Sequence, residues 1–196
     1  METALAHPLP TDERALARRA QAGDLEAFGE LVSRYMRRAY YVALGLVGSH
    51  DDALDLSQEA FARAFRARKS LDPERPFYTW LYAILRRLCF NFLRDRKTQA
   101  RRIEEAAGWI SDGANTRAER YNPARAAELA ELRSRISVAI DGLPDRQREV
   151  LVLKEFEGLR YREIAELLGI PMGTVMSRLY SARRQLAASL AEEQNG

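Results

Sequence analysis

An all-α chain of two small helical domains joined by a flexible linker is what the sequence predicts, and three observations predict it. Apolar residues recur at helical spacing through most of the 196 residues. No stretch alternates apolar and polar residues as a half-buried strand does. Between Thr98 and Arg125 the periodicity fades while Gly108, Ser111, Asp112, Gly113, Asn115, Asn122 and Pro123 accumulate, which is the composition of a linker with room for one short helix. Each flanking part retains roughly 70 residues, a size at which a small helical domain can bury a sufficient core. The expected division is therefore a lead-in at 1–23, a first domain at 24–97, a linker at 98–125 and a second domain at 126–192.

The first domain reads as a three-helix-type bundle. Leu25, Phe28, Leu31, Val32, Tyr35, Met36, Ala39, Val42, Ala43 and Leu46 trace one face of its first helix. A second helix runs from about Asp51 to Arg68 with Ala53, Leu56, Ala60, Phe61, Ala64 and Phe65 inward, and Leu71-Asp72-Pro73-Glu74-Arg75-Pro76 breaks it. A third starts near Phe77 with an inward stripe of Trp80, Leu81, Ile84, Leu85, Leu88 and Phe92. It ends in Arg94, Arg96 and Lys97, cations suited to a helix C-terminus.

The second domain reads as four helices. Leu129, Leu132, Ile136, Ala139 and Ile140 form a helix stopped by Asp141-Gly142-Leu143-Pro144, and a shorter one carries Val150, Leu151, Leu153 and Phe156. A short helix from Tyr161 to Leu168 ends at Gly169, and Ile170-Pro171-Met172-Gly173 leads into the last helix, Thr174 to about Leu190. Arg160 stands at the N-cap of the third helix without a side-chain acceptor, but Glu163 can reach back to its N–H.

Composition narrows the function classes. With 46% hydrophobic and 30% charged residues the balance is globular, and no apolar run approaches the ~20 residues of a membrane span. Met1 to Pro10 carry neither a basic leader nor a long apolar segment, so the expected compartment is the cytoplasm, with no membrane insertion. Cys89, the single cysteine, sits among Leu88, Phe90 and Phe92 and reads as a core thiol, so no cofactor or metal is expected. His7 and His50 lie in terminal and loop contexts, and no carboxylate pair, Cys–His arrangement or phosphate-cradling glycine loop stands in a convincing context, which argues against an enzyme. The formal charge of +3 is small, so binding to nucleic acid has to rest on where the bases cluster.

They cluster twice. The last two helices, joined by a glycine turn, have the layout of a helix-turn-helix, whose second helix enters the major groove. With Ile164, Ala165, Leu168, Val175, Leu179 and Leu186 inward, Thr174, Ser177, Arg178, Ser181 and Arg184 point outward, and no Asp or Glu occurs between Leu167 and Ala191. Such hydroxyls and arginines bond phosphates and base edges; the spacing alone also fits a solvated helical hairpin. Arg178 and Arg183 are assigned to phosphate, and Thr174, Ser177 and Ser181 to base edges. The second cluster is Arg86, Arg87, Arg94, Arg96, Lys97, Arg101 and Arg102, beside Phe77, Tyr78, Trp80 and Tyr82, aromatics that suit stacking on unpaired bases as well as a core. Trp80 is assigned to the core, which leaves Tyr78 and the loop before it as the better base contacts.

Four separated segments resemble the extracytoplasmic-function group of the sigma-seventy family, in that family's order. They are Asp24-Leu25-Glu26-Ala27-Phe28; Asp55-Leu56-Ser57-Gln58-Glu59-Ala60-Phe61; Phe77-Tyr78-Thr79-Trp80-Leu81-Tyr82; and Leu143-Pro144 through Glu163-Ile164-Ala165-Glu166-Leu167-Leu168-Gly169 to Gly173-Thr174-Val175-Met176-Ser177-Arg178. The resemblance spans about Asp24 to Leu190. It implies sigma region 2 followed by sigma region 4, an alternative sigma factor that lends promoter recognition to RNA polymerase and catalyses nothing itself. Its partners would be the clamp helices of core RNA polymerase, promoter DNA and an anti-sigma factor.

By position, the resemblance implies core-polymerase contacts at Asp55, Gln58, Glu59 and Arg63. Contacts to the minus-ten element, including a pocket for a flipped base, would fall on Leu71, Asp72, Tyr78, Ile84, Arg87 and Asn91. Contacts to the minus-thirty-five element would fall on Thr174, Ser177, Arg178, Ser181, Arg183 and Arg184. Arg87 stands where some relatives have asparagine, and Met176 and Ser181 where some carry arginine. A stand-alone helix-turn-helix regulator is the alternative; it would bind duplex DNA alone and specifically, whereas a sigma factor selects promoters only with the polymerase.

Overall fold

The structure, a computed structural model, describes residues 11–107, 135–136 and 138–192. Among them every regular element is helical. The chain divides into two compact units, Met1–Asn91 and Phe92–Gly196.

Among the described residues the first unit starts with α1, Thr11–Ala22, a helix inside the stretch expected as a lead-in at 1–23. Its Leu16, Ala17 and Ala20 are buried, and it packs on α2, Leu25–Val47. Between them Asp24 caps α2, its Oδ1 accepting from the N–H groups of Glu26 and Ala27 at 3.0 and 3.1 Å. Together with Arg19, 2.7 Å away, those N–H groups hold the Asp24 carboxyl below the usual carboxylate range. At the other end Gly48 adopts φ 75°, closing α2 with its N–H on the Leu44 carbonyl. Ser49 then caps α3, His50–Arg66, whose first turn carries Asp51 and Asp52 and whose last turn carries Arg63 and Arg66, each sign at its favourable pole. A 3-10 turn, Arg68–Ser70, leads to the Leu71–Pro76 loop and α4, Phe77–Ala107.

The buried stripe of α4 is rotated from the expected one. Phe77, Tyr78, Leu81, Tyr82, Leu85, Leu88, Cys89 and Leu93 are buried, while Trp80, Ile84 and Phe92 stand half-exposed at its edge. The rotation follows from an aromatic cluster with α2: Tyr35 lies 5.6 Å from Phe77 and 5.7 Å from Tyr78, and Phe28 packs edge-on against Phe77 at 6.3 Å. Burial pushes the Cys89 thiol up to about 12, so it is a core group and no nucleophile at neutral pH. Beyond Lys97, where a linker was expected, α4 continues to Ala107. Thr98 to Ala107 contains no glycine or proline and is rich in Ala, Arg and Glu, so propensity extends the helix without an apolar stripe to announce it.

In the second unit residues 138–141 are helical; the rest of the linker expected to Arg125, and the helix expected from Leu129, lie outside the described residues except for helical Arg135 and Ile136. Three helices follow: α5, Asp145–Glu155; α6, Tyr161–Leu168; and α7, Met172–Glu192. Val150, Leu151, Val152 and Leu153 are all buried, so α5 is the central helix and has no solvent face over that run. Around it close Ala139, Leu143, Ile164, Val175, Leu179 and Ala182.

Arg148 organises this core. It is 1% exposed, yet its guanidinium donates to the carbonyls of Ile140 at 3.1 Å, Asp141 at 2.5 Å and Leu143 at 3.3 Å. Ile140 and Asp141 close the preceding helix and Leu143 lies just past it; the Ile140 carbonyl also accepts from Leu143 N–H at 3.1 Å, and a side chain from the next helix supplies further donors to all three. Burial lowers the Arg148 pKa from its ordinary value, opposed by the carboxylates of Asp141 and Asp145.

Candidate nucleic-acid interface

The α6–α7 pair forms from local signals. Arg160 donates its backbone N–H to Glu163 Oε2 at 2.6 Å, the reach-back that the sequence suggested in place of an N-cap side-chain acceptor. Gly169 ends α6 at φ 64°, ψ 36°, with Ile170 N–H bonded to the Ala165 carbonyl at 3.0 Å. Pro171 then opens α7 by accepting from the N–H groups of Thr174 and Val175, and α7 begins at Met172, slightly ahead of the expected Thr174.

With Val175, Leu179 and Ala182 turned inward, Thr174, Ser177, Arg178, Ser181 and Arg184 fall in a stripe along one side of α7, where Ser177 and Arg184 are exposed and Thr174, Arg178 and Ser181 half-exposed. Ser177 gives its hydroxyl proton to the Thr174 carbonyl at 3.1 Å and keeps its oxygen as an acceptor. Arg178 and Arg184 have no side-chain partner among the described residues. Arg183 differs: it turns off the stripe toward α5 and binds Glu155 there at 2.7 Å, which raises its pKa. Beside the stripe stand exposed apolar residues, Met172, Met176 and Tyr180, the last 68% exposed. Tyr161, Met176, Leu179, Tyr180, Arg183 and Arg184 line a shallow concavity of about 410 Å³ there.

On α3, Asp55, Gln58 and Glu59 line a second concavity with Ala62, on the side away from the buried Ala53, Ala60, Phe61 and Ala64. Glu59 receives Arg63 at 2.7 Å and Arg66 at 3.5 Å. The Arg63 bond holds its carboxyl below the usual range, so this face keeps a carboxylate with its own cations at the rim. Asp55 and Gln58 have no side-chain partner among the described residues.

Along α4, Ile84, Arg87 and Asn91 share one face, with Arg87 exposed and the other two half-exposed. Two of the residues grouped with them are core side chains instead. Leu71 is 2% exposed, and Tyr78 is 4% exposed under the Arg38 guanidinium, 3.6 Å from its ring, so the side chain of neither is presented for stacking. Asp72 spends its carboxylate inside the loop: Oδ1 accepts from Glu74 N–H at 3.0 Å and Oδ2 meets Arg75 at 3.4 Å.

Comparison with known proteins gives these faces a family. The model of Sigma-70 region 2 matches residues 31–99, and that of Sigma-70, region 4 matches 133–186. The chain belongs to the sigma-70 family. It is similar to the ECF RNA polymerase sigma-E factor of Escherichia coli, 36% identical over 89% of this chain and 92% of that one. It is 33% identical to the RNA polymerase sigma-H factor of Pseudomonas aeruginosa, over 91% of this chain and 93% of the relative. Among solved structures, CnrH in complex with the cytosolic domain of CnrY matches with a TM-score of 0.66 at 27% identity, covering 93% of this chain and 99% of that one. Relatives named as extracytoplasmic-function sigma factors, spanning nearly all of the chain, make this an alternative sigma factor of that group.

Within the sigma factor, the structure brings the α7 stripe together as the sequence groups it, apart from Arg183, and keeps Asp55, Gln58 and Glu59 side by side. Sequence reasoning did not group the exposed Met172 and Tyr180 with this face and named Met176 only as standing where some relatives carry arginine. Their signal was present, because they recur every four residues outside the stripe that Val175, Leu179 and Ala182 already fill. Among the described residues no group of three His, Cys, Asp or Glu side chains is placed to hold a metal, and no helix is long and apolar enough to cross a membrane.

Proposed function

We propose that this sigma factor binds core RNA polymerase in the cytoplasm, directs it to promoters and helps open them, while the polymerase performs all the chemistry. Residues 24–97 would carry polymerase and minus-ten contacts and residues 126–192 the minus-thirty-five contacts. The reading rests above all on one observation: both family segments occur in family order, each with a polar face that its own core leaves open. On α3, Asp55, Gln58 and Glu59, with Arg63 at the rim, meet the clamp helices. The exposed centre of the Leu71–Pro76 loop, together with Ile84, Arg87 and Asn91, receives the minus-ten strand, and the bonds of Asp72 shape that loop. Thr174, Ser177 and Ser181 read base edges while Arg178 and Arg184 meet phosphate. The solved complex of CnrH with the cytosolic domain of CnrY, at 27% identity, supports a further protein partner, which this reading takes to be an anti-sigma factor.

Run-off transcription with core enzyme on pooled genomic fragments tests this. Initiation at defined sites is expected only when chain and core are both present, with permanganate-reactive thymines upstream of the start. Specific duplex binding by the chain alone, without an effect on core, would identify a stand-alone regulator instead. The variant Gln58→Ala with Glu59→Ala should weaken holoenzyme formation, read by fluorescence polarisation, with helicity and melting unchanged; equal affinity would remove α3 from the polymerase surface.

A further inference from the structure

The helix that the sequence did not announce is bonded along the loop assigned to base capture. Gln21 Nε2 donates to the Leu71 carbonyl at 2.6 Å, where the loop begins. Glu13, 6% exposed, accepts from Phe77 N–H at 3.0 Å, where the loop ends and α4 starts. In the middle, Arg18 meets Glu74 at 2.6 Å and Arg14 meets it at 3.5 Å. All of these donors and acceptors on the α1 side lie within Thr11–Ala22.

The bonds are not equal. The arginine pairs with Glu74 are solvent-exposed, and exposed ion pairs of this kind contribute little. Glu13 is buried and satisfies an N–H that opens a helix, at the pole that favours a carboxylate, while its Oε2 accepts from Tyr35 OH at 2.8 Å. Gln21 is half-buried and holds a main-chain carbonyl. The side chains of Leu71 and Phe77 are buried at the two ends, and Asp72, Glu74 and Arg75 between them are exposed. Fixed ends and an exposed centre are the arrangement that preorganises a short loop for a ligand.

We propose that α1 is a splint for the Leu71–Pro76 loop, and that Glu13 and Gln21 are positioning residues that set minus-ten base selectivity without touching DNA. This rests on the reading of that loop as the base pocket. A loop freed at either end still carries its own residues but samples several shapes, so discrimination among bases falls more than total affinity does.

The test uses holoenzyme made with the full chain and, as probe, single-stranded DNA randomised over a short window, sequenced before and after selection. Gln21→Leu and Glu13→Ala should each flatten the enrichment at one position by about tenfold, equivalent to ~1.4 kcal/mol of lost discrimination. Hydrogen exchange at the Glu74, Arg75 and Phe77 amides should accelerate in both. Glu13→Gln keeps a carbonyl acceptor for Phe77 N–H and should retain the selectivity. Tyr35→Phe removes only the bond on Oε2 and should lower the melting temperature with the profile intact. Faster loop exchange with an unchanged base profile would overturn the splint, as would a profile flattened equally by Tyr35→Phe. If Asp72→Ala combined with Arg75→Ala leaves the parent profile unchanged, the pocket reading itself fails, and the inference falls with it.

Discussion

The Leu71–Pro76 loop and the Gly169–Pro171 turn each deliver the chain into a helix with an outward polar face, but different bonds hold them. The turn is made by its neighbours: Gly169 in the left-handed region, Ile170 N–H on Ala165, and Pro171 accepting from Thr174 and Val175. The loop has an inner turn of its own, through Asp72, but its ends are tied by α1, from Gln21 to Leu71 and from Glu13 to Phe77. A structure closed by near neighbours is specified where it occurs, whereas one closed by a distant helix depends on the whole unit being folded. Unit 2 should therefore fail at single local positions, and the loop of unit 1 should fail when α1 is altered.

The largest expected effect that follows is Arg148→Ala. It leaves the carbonyls of Ile140, Asp141 and Leu143 without their guanidinium donors inside a packed core. A loss of roughly 2–4 kcal/mol is expected, because each buried group left unsatisfied carries its desolvation penalty. Urea denaturation followed by circular dichroism should show the part of the signal belonging to unit 2 melting early, with unit 1 unmoved. A single shifted transition for the whole chain would break the comparison, because the two units would then be stabilising one another.

The next effect is smaller and has two signs. Gly169 has φ 64° and nothing within 4 Å of an added Cβ, so Gly169→Ala isolates the conformational cost of the left-handed region, about 1 kcal/mol of destabilisation. Gly173, in the first turn of α7, also has open space around it but no positive φ. Gly173→Ala should stabilise by up to about 1 kcal/mol, since alanine loses less chain entropy on folding. Equal effects at both glycines, read as melting temperatures, would show that the turn is not what fixes the angle between α6 and α7.

The same contrast accounts for what could be read in advance. Apolar periodicity announced α2 and α3, and the α6 cap pair of Glu163 and Gly169 lies within a few residues of the backbone groups it satisfies, so these helices and the α7 face were legible. α1 was not, because a short segment with only Leu16, Ala17 and Ala20 to bury is marginal as an isolated helix and is held here by its packing on α2. Tyr78 was misjudged for a related reason: helical spacing permits it either an inner or an outer place, and the rings of Tyr35 and Tyr82 and the Arg38 guanidinium decide the matter from other turns. Arg148 was invisible as a capping group because a surface arginine and one folded under the preceding carbonyls look alike in sequence.

The smallest expected effect separates two arginines that the sequence treats alike. Arg178 and Arg183 were both assigned to phosphate, but only Arg183 already holds a carboxylate, Glu155, at 2.7 Å. Meeting a phosphate would require Arg183 to release Glu155 or share its donors with it, whereas Arg178 has no partner to leave among the described residues. Releasing a condensed counterion for each phosphate neutralised gives a slope of log affinity against log salt of about −0.9 per contact on duplex DNA. Arg178→Ala should therefore make that slope shallower by about one and lower affinity nearly uniformly across sequences, while Arg183→Ala should change it by much less. Double-mutant analysis with Glu155→Gln sharpens the point: freeing Arg183 from its partner should increase its share of the slope, so that Arg183→Ala in that background approaches the effect of Arg178→Ala. Titrations of holoenzyme on a selected promoter duplex at several salt concentrations measure all four variants. Identical slopes for Arg178→Ala and Arg183→Ala in the parent would mean that the Glu155 pair is given up on DNA at no cost, and that Arg183 meets phosphate as directly as Arg178.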